Sequence, residues 1–197
     1  MKSRPLARAA ALAALAVATG AAPVLAHTGG ADVSGFAAGL KHPILGADHL
    51  LAMLAVGLWS GFALPRHVWG GAACFLVAMA AGAALGLYGE PQAVVEAAIL
   101  ASVIVFGLLI VVAHPGQGQG MTAGALVAIA GFALFHGYAH TAEAAGDILS
   151  YVAGFLLSTA ALHMLGIALA SAVAQRVILR WVTGGAIALS GAALAVI

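Results

Sequence analysis

The sequence predicts an all-α, polytopic membrane bundle of about six transmembrane helices behind a cleaved signal peptide. Three observations carry this. Of the 197 residues, 64% are hydrophobic and only 7% are charged, with a mean hydropathy of +1.13. Six long apolar runs are divided by short breaks containing Pro, Gly or charge. A basic, then apolar, then small-residue stretch precedes them all. A soluble domain needs a polar exterior, and 7 Lys and Arg with 6 Asp and Glu cannot supply one. The formal charge of +1 leaves no basic stripe to neutralise phosphates, which excludes a nucleic-acid partner. Cys74 is the sole cysteine, so an intramolecular disulfide is excluded and the residue reads as a small buried hydrophobe.

Residues 1–26 have the three parts of a secretory signal: Lys2, Arg4 and Arg8, then Ala9 to Val17, then the small-residue site Val24-Leu25-Ala26. The apolar part is shorter than the ~20 residues a span requires, and Pro23 interrupts its end. Cleavage after Ala26 leaves His27 as the new N-terminus, where imidazole and α-amine can chelate a divalent ion, so His27 is a further candidate ligand. The rest, 27–197, reads as one transmembrane domain.

Its spans are expected near 43–64, 68–88, 92–113, 121–143, 147–172 and 178–197, each about long enough to cross the hydrocarbon as a helix. Pro43 suits a first helical turn, so the first span is expected to start there with His42 just outside. Breaks fall at Pro65-Arg66-His67, Gly89-Glu90-Pro91, His114 to Gly120, Ala144 to Gly146 and Gln175-Arg176. Such short loops make neighbouring helices antiparallel, and the Gly/Gln loop at 116–120 reads as a flexible connection. Gly35-xxx-Gly39, Gly57-xxx-Gly61, Gly82-xxx-Gly86 and Gly120-xxx-Gly124 offer small-residue faces for close helix packing.

A cleaved signal puts the mature N-terminus outside. Arg66, Arg176 and Arg180 then fall inside while Glu90, Glu143 and Asp147 fall outside, in keeping with the positive-inside rule; Lys41 is the exception. The expected location is a bacterial inner membrane, with the mature N-terminus periplasmic.

Function is signalled by ionisable residues in apolar surroundings, since such groups are costly unless something binds them. The first set opens the first span: His42-Pro43-Ile44-Leu45-Gly46-Ala47-Asp48-His49. On one continuous helix His42 and His49 lie two turns apart on nearly one face, with Asp48 turned by about 100°. Asp48 can ligate directly or hold the far nitrogen of an imidazole. The second set is Phe135-His136-Gly137-Tyr138-Ala139-His140-Thr141-Ala142-Glu143, where His136 and His140 sit one turn apart and Glu143 continues the stripe. Two imidazoles at that spacing can share one ion, with the carboxylate as an oxygen ligand or a lure for cations. Gly137 stands where the general base of an HExxH zinc hydrolase would be, so no enzyme activity is expected. Imidazole and carboxylate without thiolates suit Ni²⁺, Co²⁺ or Zn²⁺. Glu96, inside the third span, is a secondary candidate. His163 alone reads first as an interhelical hydrogen-bonding residue and second as a candidate metal ligand, and Met53 and Met164 as core filling. His67 and His114 are loop-end residues to which no role is given.

HPILGADHLLAMLAVGLW and FHGYAHTAE resemble the two signature stretches of the HupE/UreJ family of nickel/cobalt permeases. The resemblance extends in outline over the whole mature chain. It implies that His42, Asp48 and His49 match the first motif, that His136, His140 and Glu143 match the second, and that the chain imports Ni²⁺ or Co²⁺ as substrate, with no prosthetic group. Thr141 departs from the family, which commonly has Gly after the second His. No GxxxxGK[ST] loop is present, so no nucleotide partner is expected. The competing class is a haem-binding electron-transfer subunit, whose axial ligands face each other across a wide pocket, often from different helices; a membrane metalloenzyme comes third.

Overall fold

In the computed structural model, residues 35–89, 93–142, 144, 147–173 and 176–196 are described. The expected signal peptide, His27 and Glu143 lie outside them. The described residues contain seven helices and no strand: α1 (Gly35–Leu45), α2 (Ala47–Ala63), α3 (Gly70–Gly86), α4 (Ala93–Val112), α5 (Gln119–Ala142), α6 (Ile148–Val173) and α7 (Val177–Leu194). Four of them, α4 to α7, are individually long and apolar enough to cross a membrane. The pair α1 and α2 meets the same test together, although the two are bent by 78° at their junction. The remaining helix, α3, has 17 apolar residues. Large side chains such as Val77, Val127, Leu149 and Leu189 point outward, as lipid-facing positions of a multi-pass protein do.

The first span differs from expectation at its start. Pro43 is not at a first turn but inside α1, and the chain breaks at Gly46 instead. Pro43 has no N–H to give to the carbonyl four residues back, which weakens α1 near its end. Gly46 then adopts an extended conformation, with φ −82° and ψ 117°, and α2 starts afresh. His42 and His49 consequently belong to two helices meeting at an angle, not to one face of a single rod.

α2 runs through the middle of the bundle and packs against α6, α4 and α3. Twelve of its 17 residues are buried, and Met53, Val56 and Trp59 meet Phe75 of α3 and Phe106 of α4 in the core. A helix apolar on every side is enclosed either by protein or by lipid, and α2, with most of its residues buried, is enclosed by protein. Around it, α3 lies on α5, α4 on α7, and α1 on α6.

Close backbone approach makes these pairings possible. An added Cβ at Gly39 would lie 2.0 Å from the Tyr151 carbonyl oxygen, and one at Gly137 would lie 1.9 Å from that of Met79. Three of the four expected small-residue faces lie at such contacts, whereas Gly120 and Gly124 have open space beside them. The 116–120 connection is also more organised than a flexible loop. Gly116 takes φ +78°, the left-handed region natural to glycine, and Gln117 is buried, donating from Nε2 to Thr122 Oγ1 at 3.1 Å. Met53 is core filling as expected, but Met164 is 48% exposed and faces outward.

Candidate metal centre

Where α2 and α6 begin and α5 ends, three imidazoles from three helices converge. His42 comes from α1, His49 from the first turn of α2, and His140 from the last turn of α5. One ring nitrogen from each lies within 4.8 Å of the others. The rings meet pairwise, with centroids 5.3 Å apart for His42 and His49, 4.4 Å for His42 and His140, and 4.5 Å for His49 and His140. On a straight helix, seven residues separate two side chains by roughly 10 Å along the axis; the bend at Gly46 is what brings His42 onto His49. Imidazole nitrogens bound to one ion at ~2.1 Å stand roughly 3–3.5 Å apart, so from a separation of at most 4.8 Å the three need close by no more than about 1.3–1.8 Å to share it.

Asp48 orients the middle ring. Its Oδ1 accepts from His49 Nδ1 at 2.7 Å and from the His49 backbone N–H at 2.8 Å. A carboxylate at a helix N-terminus satisfies an otherwise orphaned N–H and sits favourably in the helix dipole. With the proton on Nδ1, the lone pair of His49 is on Nε2, which is buried and has no hydrogen-bond partner. Of the two roles open to Asp48 from sequence, this geometry is that of the supporting partner behind a ligand. Gly46 leaves room for it, since a Cβ there would stand 3.1 Å from both Asp48 Oδ1 and His49 Nδ1. Neither nitrogen of His140 has a partner, and its ring lies against Phe155, with Tyr151 stacked behind.

His136, one turn before His140, is fully buried and faces another way. Its Nε2 is 3.1 Å from Ser102 Oγ, and Ser102 spends its own proton on the Ile99 carbonyl at 2.6 Å. Ser102 therefore accepts, His136 Nε2 donates, and the His136 lone pair sits on an unpartnered Nδ1. The His136 ring is 5.1 Å from that of His49, adjacent to the three-histidine group but not within it. Glu96 is on the exposed side of the first turn of α4, also outside the group. His163 donates from Nδ1 to the Met53 carbonyl at 2.7 Å, the interhelical link expected of it. Thr141 Oγ1 donates to the Gly137 carbonyl within α5. His67 and His114 are exposed.

Sequence reasoning did not single out Ser102, Phe155 or Tyr151. Ser102 carried a signal, being a hydroxyl in an otherwise apolar stretch of α4; the aromatic pair carried none.

These features define a helical multi-pass membrane protein with a buried imidazole cluster at one end of its bundle. The chain belongs to the HupE/UreJ family: the sequence profile described as HupE / UreJ protein matches residues 13–194. Protein HupE of Rhizobium leguminosarum bv. viciae is 42% identical over 191 residues, which cover 94% of this chain and 95% of that one. No solved structure matches the chain.

Proposed function

We propose that this protein takes up a divalent transition metal, Ni²⁺ or Co²⁺, across the bacterial inner membrane along a path that begins at His42, His49 and His140. The observation that carries this reading is the convergence of three buried or half-buried imidazoles on one small volume. Burying three such groups is costly unless a cation passes among them, and neutral nitrogen donors match borderline divalent ions. His42, the least buried of the three, receives the ion; His49, its Nδ1 held by Asp48, and His140 take it further in, and His136 offers the next lone pair. By their chemistry alone, His27 and Glu143 are further candidate donors for the ion. Three protein nitrogens leave coordination positions open, which keeps the ion exchangeable, as conduction requires.

In this reading the signal is removed after Ala26, the mature N-terminus is periplasmic, and the cluster opens outward. Inward movement is then assisted by the membrane potential, at ~4.6 kcal/mol per 100 mV for a doubly charged ion. Nothing in the arrangement favours the haem alternative: three rings in mutual contact suit a small ion better than ligands set across a wide pocket. The test is nickel uptake by cells or vesicles carrying the wild type or His42→Ala, His49→Ala and His140→Ala, with membrane content checked. Uptake by the wild type that is lost in all three variants supports the reading, and unchanged uptake in them refutes it.

A further inference from the structure

His163 does more than its interhelical link requires. The link to the Met53 carbonyl uses Nδ1, and because a carbonyl only accepts, Nδ1 carries the proton and Nε2 keeps the lone pair. His163 is 1% exposed, and that Nε2 has no partner. Thr159 precedes it by one turn on the same face of α6. It is fully buried, and its Oγ1 also has no partner, although a helical threonine readily returns its hydroxyl to the carbonyl four residues back. A third orphan, His136 Nδ1, belongs to a ring that packs on Phe75, and Phe75 packs equally on His163, with centroids at 5.5 and 5.0 Å. Native interiors seldom leave a buried polar atom unmatched; two of these are one turn apart on α6 and the third belongs to a ring that shares Phe75 with His163, so together they ask for an occupant.

The position is informative as well. Phe155, which lies on His140 in the outer cluster, and His163 are both on α6, separated by about 12 Å of helix rise. Met53, whose carbonyl His163 holds, is one turn beyond His49 on α2. The orphan donors therefore continue from the outer cluster into the bundle.

We propose that His163 Nε2 and Thr159 Oγ1 form a second, inner station for the divalent ion, reached from His136 past the edge of Phe75. This rests on the uptake reading given above. Two stations in series allow an ion to leave the outer cluster by exchanging nitrogen donors, without returning to water.

His163→Asn separates the station from the link. The Asn amide N–H stands close to where imidazole Nδ1–H stood and can still donate to the Met53 carbonyl, but nothing replaces Nε2. The full-length variant is compared with wild type for Ni²⁺ binding in detergent and for Ni²⁺ uptake in vesicles. The expected result is binding within about threefold of wild type together with uptake lowered at least about tenfold, as loss of a metal-site group does. Uptake within about twofold of wild type overturns the inner station, and so does a loss of binding as large as the loss of uptake, which is what a scaffold residue gives. If His163→Asn does not fold, Thr159→Val, which keeps shape and removes the hydroxyl, decides: lowered uptake with intact binding supports the station, and unchanged uptake overturns it. A wild type that neither binds nor carries Ni²⁺ refutes the uptake reading itself, an outcome distinguishable because it requires no variant.

Discussion

Replacing Asp48 tests how the centre is tuned. Its carboxylate accepts from His49 Nδ1 at 2.7 Å, with the His49 side chain 9% and the Asp48 side chain 22% exposed, so the contact is sheltered but not sealed. When Nε2 binds a cation, electron density is drawn from the ring and the Nδ1–H donates more strongly, so the bond is worth more with metal than without. Losing such a supporting partner typically costs 10–100-fold in metal affinity, about 1.4–2.7 kcal/mol. Asp48→Ala is expected to weaken Ni²⁺ binding by that factor. Asp48→Asn, which keeps an acceptor oxygen but loses the charge that roughly doubles the strength of the bond, is expected to cost about half as much free energy. Equilibrium titration of the purified, detergent-solubilised full-length protein with Ni²⁺ reads both, with helicity by circular dichroism as the control for the start of α2. Affinities for Asp48→Ala within twofold of wild type, about 0.4 kcal/mol, would refute the assignment of His49 as a ligand supported from behind.

The other predictions follow from the same geometry. His42→Ala, His49→Ala and His140→Ala each lower nickel uptake at least about tenfold, whereas His67→Ala and His114→Ala, both at exposed positions, leave it unchanged; equal losses in all five would undo the assignment of the centre to the cluster. Gly137→Ala puts a Cβ 1.9 Å from the Met79 carbonyl oxygen and 2.6 Å from Ala83 N, where ordinary contact begins at 3.4 Å, so α3 and α5 must part by about 1.5 Å. The expected cost is about 1–3 kcal/mol of stability with weakened metal binding, measured by thermal unfolding and Ni²⁺ titration; wild-type values in both contradict the close contact. Asp147, exposed at the start of α6, accepts from the Ser150 hydroxyl and backbone N–H, and these bonds hold its carboxyl below the usual carboxylate range. A carboxyl so lowered contributes stability above its unfolded value and loses it as pH falls through the folded one. Asp147→Ala therefore unfolds at a lower temperature than wild type at neutral pH and at the same temperature in acid; a difference that grows in acid reverses the sign and excludes this account.

The candidate donor residues were legible because they are exceptions. In a chain where 64% of residues are hydrophobic, each intramembrane His, Asp or Glu stands out without reference to its neighbours. His42, His49 and His140, which the structure brings together, were all singled out in this way, and Asp48 was named with both of its possible roles. The partition between His136 and His140 was not legible, because one helical turn of spacing makes them equal partners until Ser102, 34 residues away in the chain, takes Nε2 of one of them. The break at Gly46 was missed for a similar reason. Pro43 permits either a helix start or an interior position, and the contacts of α1 with α6, at Gly39 and Gly154, favour extending the helix back to Gly35.

What the sequence determined by itself was the solvent, the helical class and the kind of ion such donors suit, since all three depend on composition and local periodicity. Which imidazoles meet, which nitrogen of each is free, and that His163 has one to spare were decided only in the tertiary structure. Those properties depend on the 78° turn between α1 and α2 and on hydrogen bonds between residues as far apart as Met53 and His163. Spacing along a chain fixes the face of one helix; the angle between helices, set by how closely glycines let their backbones approach, fixes the site.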